Sequence, residues 1–125
     1  MILYISGPYS GLVDANIQAA REVAIELWEK GFTVITPHLN TQNMEVDCKA
    51  TWEQYIEGDL EIISRCDGVV MMPRWRESRG SKIEREYAFY CKVPIYYYPE
   101  LPLDHMTPNL KATRKFIEGY AKIYT

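Results

Sequence analysis

The chain has 125 residues, 47% hydrophobic and 25% charged, with a formal net charge of −3. That size and balance suit one globular domain over residues 1–125 around a single core, and they exclude the basic footprint of a protein that binds a nucleic acid polymer. No apolar run approaches membrane-spanning length, and residues 1–7 are too short and uncharged a start for a signal peptide, so no membrane partner and a cytoplasmic location are expected.

Residues 1–6 read as a short apolar strand, followed by a tight loop from Gly7 to Gly11. Asp14 is the expected N-cap of a first helix, whose stripe is Ile17, Ala20, Val23, Ala24, Leu27 and Trp28 and whose end is marked by Gly31. A second strand covers residues 32–35, and residues 37–50 form a polar loop of a length that often carries function. Thr51 with Gln54 has the form of a capping box opening a second long helix to about residue 65. Residues 68–72 make a third, buried strand, then an arginine-bearing loop over 73–77. A helix over about 82–91, a strand over 93–98 and a last helix over about 108–121, with Thr107 as N-cap and Pro108 at its first position, complete the chain.

Strands that alternate with helices predict an α/β fold, a three-layer, doubly wound parallel sheet of the flavodoxin or Rossmann kind. If strands one and three are neighbours, their carboxyl ends flank a topological switch point, and Gly7, Asp59 and Glu84 surround one crevice.

Two carboxylates stand out. Glu84 lies just inside a helix that follows a strand and the Ser/Gly-rich stretch Ser78-Arg79-Gly80-Ser81, where free backbone N–H groups suit an anion such as phosphate. Two readings fit Glu84. It is a reactive group beside an anion anchor, or, with Ser81, it is a capping box that satisfies helix N–H groups. Asp59 falls on the same helical stripe as Trp52, Tyr55, Ile56 and Ile63. A carboxylate on a core-facing stripe is costly unless paired or neutralised, so Asp59 is either a structural acid or a member of an acid–base pair. Arg79 is the better candidate for ligand contact than Arg74 and Arg76, which suit a solvated loop. Trp75 either covers a ligand or packs against the sheet.

The three cysteines, Cys48, Cys66 and Cys91, are odd in number and lack metal spacing. Cys66 and Cys91 are expected as buried thiols, and no metal or organic cofactor is expected. The successive Tyr96, Tyr97 and Tyr98, among ten tyrosines in all, together with the last helix, predict an apolar surface and a homo-oligomer, a dimer or a multiple of one.

The combination Tyr4-Ile5-Ser6-Gly7-Pro8, Trp52-Glu53-x-Tyr55, Asp59-Leu60, Cys66-Asp67, Pro73-x-Trp75-x-x-Ser78-Arg79-Gly80 and Glu84 resembles a family of small bacterial and phage proteins. That family is itself similar to the nucleoside 2-deoxyribosyltransferases and the 2′-deoxynucleoside 5′-monophosphate N-glycosidases. The resemblance implies Glu84 as nucleophile at the anomeric carbon, Tyr4 as the residue that orients it, and Asp59 as the group that contacts or protonates the base. It implies Gly7, Ser78, Arg79, Gly80 and Ser81 around the substrate and its phosphate, and His38 near the base pocket; a hydrogen-bonded loop histidine is the alternative for His38. The monophosphate glycosidases carry a Ser and an Arg just after the first-loop Gly, whereas here Pro8 and Ser10 flank Tyr9. The expected partner is a small nucleoside or nucleotide, and the expected reaction is cleavage of its N-glycosidic bond or exchange of its base. The rival readings are a non-catalytic nucleotide-binding module and a structural oligomer in which Glu84 only caps a helix.

Overall fold

The computed structural model describes residues 1–124. Its four strands, β1 (Ile2–Ser6), β2 (Thr33–Ile35), β3 (Gly68–Met71) and β4 (Ile95–Tyr97), form one sheet in the order β2-β1-β3-β4. Every pairing is parallel, with Tyr4 opposite Ile35 on one side and Val69 on the other. A parallel sheet needs both faces covered. Helix α1 (Val13–Glu29) covers one face. Helices α3 (Trp52–Ile63) and α4 (Arg79–Tyr90) cover the other, while α2 (Pro37–Asn40) is a single turn after β2.

Side-chain alternation along β1 divides the core into two layers. Leu3 and Ile5 pack with Ala20, Val23, Ala24 and Leu27 of α1, whereas Tyr4 packs with Ile63, Val69, Met71 and Ala88 on the α3/α4 face. The order β2-β1-β3 means that the chain leaves β1 in one direction and later returns to its other side. The carboxyl ends of β1 and β3 therefore bound a crevice at the switch point. Gly7 lies there because a Cβ would come within 2.4 Å of Met72 Sδ.

The expected elements are all present, with boundaries that moved for physical reasons. Helix α1 starts at Val13 with Leu12 at its N-cap and no side-chain cap, so Asp14 sits inside the first turn, where a carboxylate favours the helix dipole. Gly31 ends it at φ 92°. The capping box of Thr51 and Gln54 is present at α3, with reciprocal bonds of 3.2 and 2.7 Å. Residues 37–50 are less open than a plain loop, with α2 and a 3-10 turn at Met44–Val46.

The last helix, α5 (Lys111–Tyr124), begins later than Pro108 because Asn109 adopts φ 55° and breaks the first turn. Cys48, Cys66 and Cys91 are all free thiols and half-buried, so Cys66 and Cys91 are not the enclosed residues expected. The tyrosine run is also less exposed than expected. Tyr96 and Tyr98 pack on the α1-side core, and Tyr98 donates to Glu26, which leaves only Tyr97 substantially open. No helix among the described residues is long and apolar enough to cross a membrane.

Candidate active site

Glu84 is the centre of the site. Ser78, not Ser81, is the N-cap of α4, its hydroxyl accepting from Ser81 N at 3.1 Å. Glu84 is thereby in the second turn and takes no part in capping. Its side chain points at the sheet, where one carboxylate oxygen accepts from the Tyr4 hydroxyl at 2.6 Å and the other from Ser6 Oγ at 2.7 Å. Residues 4 and 6 share one face of β1, and α4 lies over that face. Two hydroxyl donors thus hold a carboxylate that is only 5% exposed.

Asp59, half-buried on α3, interacts with both the Tyr4 hydroxyl and the Glu84 carboxyl. Burial pushes Asp59 up to about 6, against the lowering effect of Tyr4 and Glu84. Burial likewise pushes Glu84 up to about 7; the Tyr4 and Ser6 hydroxyls pull it down, and the charge of Asp59 pushes it up again. The two carboxyls titrate as a pair that shares one proton near neutrality. Both hydroxyl donors fall on Glu84, and hydrogen bonds to a carboxylate favour its charged form. Of the two, Glu84 has the higher value, so burial and Asp59 draw the shared proton to Glu84, while the Tyr4 and Ser6 hydroxyls work against this by favouring its charged form. Tyr4 stays a phenol because burial, then the two carboxylates, raises its pKa well above the usual value.

Glu84 and Asp59 line a cavity of about 650 Å³ at the carboxyl ends of β1 and β3, a size ordinary for a small-molecule site. Its wall includes each expected substrate residue: Gly7, His38, Ser78, Arg79, Gly80 and Ser81. The walls also carry Tyr9, Trp52 and Tyr55. The guanidinium of Arg79 stacks over the Trp52 ring at 4.4 Å, which makes a flat cationic panel at one side. Gly80 is where α4 meets α3, since a Cβ there would lie 3.0 Å from Ile56 Cδ1. The N–H groups of Arg79 and Gly80 belong to the first helical turn, which has no intrahelical acceptors. Ser81 is 1% exposed, and its hydroxyl has no hydrogen-bond partner among the described residues.

His38 is 4% exposed and donates from Nε2 to Pro8 O at 2.9 Å. Burial lowers its pKa, with the Pro8 and Gly7 carbonyls opposing. Its visible work is to hold the loop that follows β1. Trp75 is outside the cavity wall; Arg76 and Arg85 lie over its ring at 4.6 and 5.0 Å, and it packs against the sheet. Arg74 pairs with Glu77 in the exposed loop.

Several residues of the site escaped the reading from sequence. Ser6 is one, although its two-residue offset from Tyr4 places it on the same strand face. Asn16 donates to the carbonyls of Tyr9 and Ser10 at 3.1 Å each and so fixes the Gly7–Gly11 loop; its only signal was a polar residue beside an apolar stripe. Tyr9 reaches across the mouth to both oxygens of Glu45 at 3.1 Å and accepts from Asn43 N at 2.9 Å, a contact that nothing local announced. Among the described residues no group of three or more His, Cys, Asp or Glu could hold a metal ion.

Sheet order, crevice and paired carboxyls together define a doubly wound α/β protein of the deoxyribosyltransferase fold. The solved structure of the 2-deoxyribosyltransferase from Bacillus psychrosaccharolyticus matches with a TM-score of 0.61 and 16% identity, over 78% of this chain and 71% of that one. The chain belongs to the family described as "Domain of unknown function (DUF4406)", which it matches over residues 1–97. A comparison with curated proteins finds no match.

Proposed function

We propose that this chain cleaves the N-glycosidic bond of a nucleoside or nucleoside 5′-monophosphate, with Glu84 as nucleophile and Asp59 as acid. The observation that carries this reading is the buried Glu84 carboxylate, held by Tyr4 and Ser6 on the floor of a nucleoside-sized cavity with a second carboxyl facing it. The fold it shares with a 2-deoxyribosyltransferase, a protein described as a catalyst for nucleoside synthesis, supports the substrate class.

Glu84 attacks the anomeric carbon as the bond to the base breaks. The bonding pair leaves with the base nitrogen, and the Asp59 proton neutralises it. Asp59, now ionised, takes a proton from water as that water cleaves the glycosyl ester and frees Glu84. A second base in place of water gives exchange. This is the two-carboxylate logic of retaining glycoside hydrolysis applied to a nitrogen leaving group, and it requires no metal or organic cofactor. Tyr4 and Ser6 keep Glu84 aimed, while Ser78, Arg79, Gly80 and Ser81 offer N–H groups, hydroxyls and one cation to a phosphate.

The test is incubation with a panel of nucleosides and 5′-monophosphates, followed chromatographically for free base. Glu84→Gln keeps the shape and removes the charge, so base release is expected to fall by about 10³-fold or more, with binding of the substrate retained. A chain that binds nucleotides tightly but frees no base would be a sensing module, and the proposal would be wrong.

A further inference from the structure

Two apolar surfaces stand exposed among the described residues. The first is on α5, where Phe116, Ile117 and Ile123 are 71%, 57% and 75% exposed. Their spacing places them on one helical face, and Tyr120 extends that face by stacking on Phe116. The second is a groove at the far end of α4, where the chain turns into β4. Phe89 and Tyr90, 76% and 81% exposed, stand beside Val93, Pro94 and Ile95, with Glu86 and Lys92 at the rim. This groove shares no lining residue with the Glu84 cavity.

We propose that the α4/β4 groove receives the apolar face of α5 from a second copy of this chain, and that the exchange is reciprocal. The two patches are of one kind, aromatic and aliphatic, so each is suited to bury the other. Charge selects the partner. Helix α5 carries four basic residues, Lys111, Arg114, Lys115 and Lys122, against the single acid Glu118. The whole chain is nevertheless at −3, so the body that α5 would approach is more acidic than that figure. A basic helix is attracted to such a body, whereas an anionic lipid surface would attract the helix and repel everything attached to it. The contact would be made twice in a two-fold pair, and it would bring together large side chains that bury at most about 150–250 Å² each when aromatic, so that full burial of both contacts would reach the range of about 1,200–2,000 Å² typical of stable interfaces.

The experiment uses the full chain and two exposed double variants, Phe89→Glu/Tyr90→Glu in the groove and Phe116→Glu/Ile117→Glu on the helix, with mass read by light scattering at several micromolar concentrations. Circular dichroism checks that each variant is folded; if the groove pair is not, Tyr90→Arg alone replaces it. The native chain is expected at twice the chain mass and each variant at the single-chain mass. An equimolar mixture of the two variants is expected to recover the doubled mass in part. The groove variant then supplies an intact helix, and the helix variant supplies an intact groove. A native monomer overturns the proposal, as does a groove variant that stays doubled. Failure of the mixture of folded, monomeric variants to associate also overturns it, while a groove variant that stays doubled beside a monomeric helix variant would mean that α5 pairs with α5. Binding of the native monomer to phosphatidylserine vesicles would assign the helix to a membrane surface instead.

Discussion

At the scale of single residues, the site depends on where one proton resides. The pair formed by Asp59 and Glu84, with values of about 6 and about 7, is active in the proposed reaction when it holds one proton. Adding a second neutralises the nucleophile, and removing the first disarms the acid. The pH dependence of kcat/KM should therefore be a narrow bell with its maximum between those values. Asp59→Asn should remove the alkaline limb and slow ordinary substrates far more than those with activated leaving groups. Ser6→Ala deletes a donor to the charged form of Glu84, which raises its pKa and moves the acid limb to higher pH. A Ser6→Ala profile superimposable on the native one would show that the 2.7 Å bond does not tune the nucleophile. The capping reading of Glu84 ends at this scale too, because Ser78 performs that task and the carboxylate faces the sheet.

At the scale of elements, the distance between the two carboxyls is set by how closely α3 and α4 approach. Gly80 and Ile56 are at that contact. A Gly80→Ala substitution relieves backbone entropy but places a methyl 3.0 Å from Ile56 Cδ1. Ile56→Val alone opens a small gap. The double variant should therefore be more stable than the sum of the single effects by about 0.5–1 kcal/mol, measured as a thermodynamic cycle in denaturant. Additivity would show that the helices do not meet there. Ser78→Ala should cost about 1 kcal/mol through loss of the α4 cap, with turnover reduced as well, since the first turn of α4 borders the cavity.

The whole molecule bears the cost of keeping Glu84 dry. The folded value of about 7 exceeds the ordinary 4.5, so between these the folded state binds more protons than the unfolded. Stability from this group is fully present below about 4.5 and is lost as pH rises through about 7. At roughly 1.4 kcal/mol per unit, the rise from 4.5 to about 7 makes the loss by pH 8 about 3 kcal/mol. Glu84→Gln removes this dependence, so its melting temperature relative to the native chain should rise by several degrees from pH 5 to pH 8. A constant difference would mean that Glu84 is not desolvated in solution.

Alternation of strand and helix, the apolar stripe of α1, the Thr51 capping box and the candidacy of Asp59 and Glu84 were legible in the amino-acid sequence, because each is a matter of local period, of a costly residue type on an apolar face or of a Ser/Gly-rich helix entry; Tyr4 was named only through the family resemblance. The identity of the α4 cap was not. Ser78 and Ser81 are both plausible locally, and the packing of Ser81 against the core decided between them. The start of α5 was set by the left-handed Asn109, which the favourable Thr107-Pro108 pair concealed. Ser6, Asn16 and the bond from Tyr9 to Glu45 joined the cavity's surroundings only once β1 lay beneath α4 and the loops after β1 and β2 met. Contacts between residues 80 positions apart, such as Tyr4 with Glu84, leave no periodic trace in a chain. They arise from sheet order, and sheet order is chosen by the burial of both faces at once.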